Sequence, residues 1–360
     1  MPMLRRIVKF AIAVVVYYSG FLALYSALKR KRTPQGDYVI FTYHRVLDDA
    51  DKKKAETQPG MCVTRKTFDK QVEFLSSHYN ILSLEKLTHI LKNNLPVPRK
   101  TAVITFDDGW RDNYLNAFPV LKKHKTPATI FPATDLIETD RLPIFIEVSL
   151  LLGEGDLWPE KAVKIFKEVI HENGLLESIE GLDKDKLDSL GNDTYRFMRT
   201  MMLLDYKHIA IVADRMKAEG KIDLEKWEND RWMLNWDEIR EMFQHDIDFG
   251  SHGQSHDILI HLSDDQVRRE LTESKKIIEK AIGKPVTLFS YPNGDYNTKI
   301  EKMVLDAGYD SATALRRNSD DDKQLDIFAL ERISVNEGAA LGPTGKFSKA
   351  VFACLIEDLF

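Results

Sequence analysis

The chain has 360 residues, of which 43% are hydrophobic and 30% charged, and its formal net charge is −5. That composition suits a globular protein with a sizeable core, and without a domain-wide basic patch it excludes nucleic acid as a partner. Only two cysteines occur, Cys62 and Cys354, far apart and without metal-type spacing, so neither a metal cluster nor a disulfide can be read from them.

The first element is apolar. Phe10 to Leu28, "FAIAVVVYYSGFLALYSAL", carries no charged residue. At about 1.5 Å per residue, a helix of that length nearly spans a hydrocarbon core of roughly 30 Å. Arg5, Arg6 and Lys9 flank one end and Lys29-Arg30-Lys31-Arg32 the other. A cleavable signal peptide has a shorter apolar stretch and a small-residue cleavage site. The basic tetrad therefore favours an uncleaved single-pass transmembrane anchor over residues 1–32, with a buried core helix as the alternative. Positive charge at both ends leaves the orientation open.

After a short linker, "TPQGD", the β-branched and aromatic run "YVIFTYH" at 38–44 predicts a buried strand, and the polar stretch 48–60, containing Pro59-Gly60, a loop. "TRKTFDKQVEFLSSHY" is helical, with Phe68, Val72 and Leu75 on one face, and "SLEKLTHILKN" is a helix opened by Ser83. "TAVITFDDG" predicts a strand ending in two aspartates, "NAFPVLKKHK" a short helix and "PATIFPAT" another strand. This alternation indicates a parallel sheet with helical crossovers. It breaks at about 140–230, a polar, helical insertion with "AVKIFKEVI" and "YKHIAIVADRMKAEGK" as its clearest helices. Alternation resumes with "NWDEIREMF" and "IDFGSHGQSH", then a long helix capped by Ser263 and ended by Gly283. "VTLFSYP", "TKIEKMVLDAG" and "SATAL" continue the strand–helix–strand rhythm. The C-terminal segment 341–360 holds an amphipathic helix, "KFSKAVFACLIEDLF", which either packs on the domain or lies on a membrane surface.

Chemistry-bearing residues gather at the C-terminal ends of the predicted strands, the face on which α/β barrels build active sites. They are His44, the pair Asp107-Asp108, His252 with His256, and "YPNGDYN" at 291–297. Two histidines four residues apart would share one face if the loop turns helical. Two imidazoles and one carboxylate form a common ligand set for a hydrolytic divalent metal, leaving positions open for water and substrate. The adjacent aspartates can then divide the work, one binding metal and the other accepting a proton as general base. In isolation "DDG" would equally be a polar turn.

These motifs resemble the polysaccharide deacetylases, carbohydrate esterase family four. "TFDDGW" is similar to the family's first motif, "SHGQSH" to its Ser-His-x-x-x-His motif, and "YPNGDYN" to the Tyr-Pro-x-Gly-Asp stretch of its membrane- and biofilm-associated branch. The likeness spans roughly 38–135 and 232–336. It implies a distorted (β/α)7 barrel over 38–340, interrupted by the insertion, which removes N- or O-acetyl groups from sugars, most often N-acetylglucosamine units. It implies Asp107 as general base and Asp108, His252 and His256 as ligands of a divalent metal, zinc by preference, with cobalt, nickel or iron as alternatives. The amide of Trp110 or a neighbour is a candidate for stabilising the oxyanion.

Two positions depart from the commonest pattern. The arginine two residues before the third-motif proline is replaced by Ser290, so Arg332 or Arg111 is a candidate substitute for orienting the base. No histidine follows His261, so the C-terminal acid is missing. The biofilm exopolysaccharide branch, with circularly permuted motifs, implies an N-terminal Tyr-His instead, and "TYHRV" at 42–46 places His44 as the acid, with a core histidine as the alternative. Trp236 and Asp237 match a further family segment, in which the aromatic shapes the groove and the aspartate orients a catalytic residue or, equally, caps a helix. Tyr291, Pro292 and Trp110 are further candidates for the substrate groove.

The expected function is a metal-dependent carbohydrate deacetylase acting on an exopolysaccharide or lipid-linked envelope glycan. Its expected place is a bacterial membrane, beside separate synthesis or export proteins. The alternatives are a catalytically impaired glycan-binding or scaffold relative, and a metal-dependent amidase acting on a non-sugar amide.

Overall fold

A computed structural model describes residues 3–30, 37–48, 60–139, 141–153, 157, 159–179, 181–191, 193–220, 231–315 and 325–359. The expected linker at 33–36, most of the loop at 48–60 and the tip of the basic tetrad lie outside the described residues. The described residues fall into two compact units, the first drawn from the stretches 3–138 and 233–359 and the second from the stretch 139–232.

The first unit is built on ten strands: β1 (Tyr38–Tyr43), β2 (Arg45–Leu47), β3 (Cys62–Thr64), β4 (Asn80–Ile81), β5 (Thr101–Asp108), β6 (Ala128–Pro132), β7 (Ile247–Phe249), β8 (Leu288–Ser290), β9 (Ser311–Leu315) and β10 (Leu330–Ser334). Seven form one parallel path, β7-β6-β5-β1-β10-β9-β8. A parallel bridge between Ser251 and Phe289 links its two ends. The strands thus run in chain order around a nearly closed barrel, the expected (β/α)7 class. Strands covered on both faces should be apolar throughout rather than alternating, and all eight residues of β5 are buried. Its terminal Asp107 and Asp108 are carried into the interior with it.

Helices α1 (Met3–Tyr18), α2 (Phe21–Arg30), α3 (Arg65–His78), α4 (Leu84–Lys92) and α5 (Phe118–His124) precede the insertion. The second unit contains α6 (Ile144–Leu152), α7 (Glu160–Glu172), α8 (Lys184–Asp188), α9 (Thr194–Met201) and α10 (Tyr206–Gly220). It has its own core, in which the rings of Phe166 and Phe197 meet edge to face at 5.4 Å. The first unit resumes with α11 (Trp236–Phe243), α12 (Asp264–Ile282), α13 (Thr298–Asp306) and α14 (Lys349–Ile356). Ser263 and Gln266 form a capping box at the start of α12, and Gly283 ends it in a left-handed conformation.

The N-terminus differs from the expected continuous span. The apolar run breaks at Ser19-Gly20, where Gly20 adopts φ +80°, and α1 and α2 meet at a bend of 78°. Among the described residues, no single helix is long and apolar enough to cross a membrane. One face of α1 packs on the barrel instead, with Ala13 fully buried and Phe10, Val14 and Tyr17 against the core. The C-terminal helix α14 buries Val351, Phe352 and Cys354 in the same core. Cys62 and Cys354 are both buried, and no disulfide joins them.

Candidate metal centre

β5 delivers Asp107 and Asp108 to the C-terminal end of the barrel, and the segment after β7 delivers His252 and His256. Asp108, His252 and His256 offer ligand atoms that all lie within 4.8 Å of one another. His256 Nε2 stands 3.2 Å and His252 Nε2 3.6 Å from Asp108 Oδ1. His252 Nδ1 is 2.7 Å from the carbonyl of Ser290. A carbonyl can only accept, so Nδ1 carries the proton and Nε2 presents its lone pair to the site. Asp108 Oδ2 accepts from the indole N–H of Trp110 at 2.8 Å, whereas Asp108 Oδ1 is buried with no hydrogen-bond partner. An orphaned buried carboxylate oxygen facing two imidazoles suits a divalent cation, because the cation satisfies the lone pairs that the fold leaves open.

Burial pushes the Asp108 carboxyl up, but the His256 imidazole beside it, with His44 and His252 nearby, outweighs it and holds the group well below the usual carboxylate range. Burial pushes His252 down to about 4, the neutral form that binds metal. Burial pushes His256 down, but the Asp108 carboxylate 3.2 Å away outweighs it and raises the imidazole. Two of the three candidate ligands sit on unusual backbone: Asp108 has φ 71° and His256 φ 67°. Non-glycine residues in this region cost on the order of 1–3 kcal/mol each and persist where surrounding contacts impose them.

Those contacts are identifiable. Residues 250–256 do not form the helix that the four-residue histidine spacing allowed. The loop is gathered instead by Glu270 of α12, which accepts the amides of Gln254 and Ser255 at 2.6 and 3.1 Å and the Ser255 hydroxyl at 3.0 Å. Gly253 lets it pass: at φ +78°, a Cβ there would lie 2.7 Å from Glu270 Oε2.

Asp107 points to a different set of partners. Arg332 of β10 grips it with two bonds, Nη1 to Oδ1 at 2.8 Å and Nη2 to Oδ2 at 2.6 Å. Thr42 donates to Oδ2 at 3.2 Å and Ser290 to Oδ1 at 3.4 Å. Burial pushes Asp107 up, yet the Arg332 guanidinium foremost, with His252 and His44, keeps it below the ordinary carboxylate value. Arg332 Nη2 also donates to Ser290 Oγ at 2.9 Å, so the guanidinium occupies the space beside the small side chain at 290. Arg111, the other candidate, pairs with Glu238 at 3.2 Å.

His44 follows β1 at the rim. Its Nε2 lies 4.0 Å from Asp107 Oδ2, and its side chain remains 18% exposed, within reach of a substrate. Its backbone carbonyl accepts from Asn113 at 2.8 Å. Next to it, buried Arg45 pairs with Asp112 at 2.8 Å and lies over the Trp110 ring at 4.5 Å.

Three of the expected substrate contacts lie inside the fold. Trp110 and Tyr291 are fully buried and Pro292 is buried. Trp110 braces Asp108, and Tyr291 stacks on Tyr296 at 4.8 Å and donates its hydroxyl to the Phe328 carbonyl at 2.9 Å. These residues support the site from behind because their polar atoms are engaged within the fold. Asp237 does not cap α11. It is 88% exposed and paired with Arg240 one turn on, while Asn235 caps the helix in a capping box with Glu238. Trp236 is half-buried at the start of that helix. The amide of Gly109 donates to the Asp107 carbonyl at 2.9 Å, which removes it as an oxyanion donor.

Glu270, Asp112, Arg45 and Asn113 were not singled out from sequence. Asp112 and Asn113 could have been suspected from their place directly after "DDGWR", but Glu270 sits in an ordinary amphipathic helix with no local signal.

A parallel barrel with a buried Asp-His-His cluster and a separate arginine-held carboxylate has the side chains a hydrolytic metal centre uses. The model of the polysaccharide deacetylase family matches residues 94–173 and 209–312, just over half of the chain. The chain belongs to the polysaccharide deacetylase family. It is 22% identical over 290 residues to YxkH of Bacillus subtilis, which carries a provisional polysaccharide deacetylase name, covering 80% of this chain and 71% of that one. It is 28% identical over 115 residues to the poly-beta-1,6-N-acetyl-D-glucosamine N-deacetylase of Escherichia coli, covering 32% of this chain and only 16% of that protein. The solved de-N-acetylase of Aggregatibacter actinomycetemcomitans shares the fold, with a TM-score of 0.52 at 16% identity over 88% of this chain and 99% of that one.

Proposed function

We propose that the chain hydrolyses the N-acetyl group of N-acetylhexosamine units in an exopolysaccharide or cell-envelope glycan. The observation that carries this reading is the separation of two neighbouring aspartates into different environments, Asp108 among imidazoles with an open oxygen and Asp107 clasped by Arg332. The N-deacetylase relatives support the choice of an amide substrate.

Asp108, His252 and His256 would hold a divalent metal, zinc by preference, which when bound polarises the acetyl carbonyl and makes water a better nucleophile. Asp107 is kept ionised by Arg332 and takes the proton that water releases as its oxygen bonds to the carbonyl carbon. His44, on the other side of Asp107 and partly exposed, gives a proton to the leaving amine as the C–N bond breaks. Thr42, Ser290 and Arg332 fix the carboxylate plane of Asp107, so the base approaches from one direction. Half-buried Trp236 is the aromatic left to line a sugar groove.

The test is mass spectrometry of β-1,6-linked N-acetylglucosamine oligomers incubated with the metal-loaded chain. Loss of acetyl groups supports the reading. Tight metal binding without product on any acetylated glycan would favour a binding protein, and turnover of small non-sugar amides alone would favour the amidase.

A further inference from the structure

Fourteen large apolar side chains are exposed among the described residues, and eight of them lie on α1 and α2. Val15, Tyr18, Phe21 and Leu24 are each more than half exposed, and Val8 and Ile12 nearly half. Such a concentration on one face marks an interaction surface rather than scattered exposure. The opposite face is committed to the protein. Ala13 and Leu22 belong to the barrel core, the Phe10 ring lies against Gly342, and Ser26 donates to Glu357 at 2.5 Å.

Two measurements argue against a spanning helix. At 16 and 10 residues, α1 and α2 reach only about 24 and 15 Å, short of a hydrocarbon core of roughly 30 Å. Together they have the length and composition of a broken span, but the 78° bend keeps them from forming one straight helix. A spanning α1 would also have to withdraw Phe10, Ala13 and Tyr17 from the core. Charge selects the occupant of the outward face. Residues 3–30 contain not one aspartate or glutamate, and the exposed Arg5 and Arg6 at the head of α1 match an anionic lipid surface, where each basic residue contributes about 1 kcal/mol.

We infer that α1 and α2 form an in-plane membrane anchor, binding an anionic bilayer by the outward apolar face while the inward face stays docked on the barrel. The anchor sinks into the headgroup–acyl boundary without crossing it. The barrel is then held against the lipid surface instead of hanging from a flexible tether. This inference does not depend on which glycan, if any, the site deacetylates.

The full chain, purified in mild detergent, is mixed with phosphatidylcholine vesicles with and without phosphatidylglycerol and sedimented. Binding should be stronger on the anionic vesicles, weaken with salt, and fall at least tenfold in Val15→Asp/Leu24→Asp, with the urea midpoint unchanged because both side chains face outward. Unchanged binding in that variant overturns the inference, as does concentration-dependent dimerisation without vesicle binding. Topology is read separately, with the outward face intact. Arg6→Cys and Arg99→Cys are each expressed in cells and treated with a membrane-impermeant maleimide in sealed membranes, before and after permeabilisation. An in-plane anchor leaves both thiols on the same side, whereas labelling from opposite sides would show a span and refute the arrangement.

Discussion

Replacing Arg332 with glutamine tests how the fold keeps its base ionised. The Arg332 and Asp107 side chains are 1% and 4% exposed, and two charge-assisted bonds of 2.8 and 2.6 Å join them. Removing one member of such a pair leaves an uncompensated buried charge and costs about 3–5 kcal/mol. Burial alone raises the Asp107 pKa, and Arg332 is the foremost influence that brings it down. In the native protein the folded pKa lies below the unfolded value of about 3.9, so Asp107 contributes stability above that value and loses it as pH falls through the folded pKa. In Arg332→Gln the sign reverses. The folded state then prefers the proton, and the penalty grows as pH rises above about 3.9. Urea unfolding of both proteins in chelator, from about pH 4.5 to pH 7, should show a stability gap of about 3–5 kcal/mol at neutral pH that narrows on acidification. Arg332→Lys, retaining a charge but not the fork, should fall between them. A gap below about 1 kcal/mol, or one that does not change with pH, would refute the electrostatic role given to Arg332.

Four further outcomes are expected. Trp110→Phe keeps the ring but removes the donor to Asp108, and should weaken zinc or cobalt binding about 10–100-fold in calorimetric titration; an unchanged affinity contradicts the bracing role. Glu270→Gln retains shape but loses the charge that gathers three donors, so metal affinity should drop about tenfold, and Gly253→Ala should do likewise by displacing Glu270. Adding metal at about 100 times its Kd should stabilise the native chain by about 2.7 kcal/mol over chelator, an increment that Asp108→Asn should abolish. His44→Ala should slow acetate release by about 10²–10⁴-fold with metal affinity retained, and full activity in that variant would remove His44 from the reaction.

Much of the barrel was legible because both-face burial makes its strands apolar and short, and caps such as Ser263 and Gly283 mark helix ends locally. The chemistry at β5 was legible only in combination, since "DDG" alone would equally be a polar turn and the histidine pair of "SHGQSH" is what gave two adjacent carboxylates a use. What escaped the sequence depends on contacts between distant segments. Glu270 reaches the histidine loop only because α12 lies beside it, and Asp237 was overvalued because its exposure is a tertiary property. The break at Ser19-Gly20 was hidden by hydropathy, which counts apolar residues without registering that Gly20 can turn the chain. Arg332 was named only as one of two candidates, because nothing local to "LERISV" separates it from Arg111; the pairing of β10 with β1 does.

The central claim is that Asp107 removes the proton while Asp108 holds the metal, and one single-turnover experiment addresses it most directly. The full chain and its Asp107→Asn variant are loaded with the same metal, their metal content is measured, and acetate release from N-acetylglucosamine oligomers is followed. Native metal occupancy in the variant, with release slowed by about 10²-fold or more, is the predicted result. Comparable release by both proteins, or loss of the metal on replacing Asp107, would contradict the division of labour between the two aspartates.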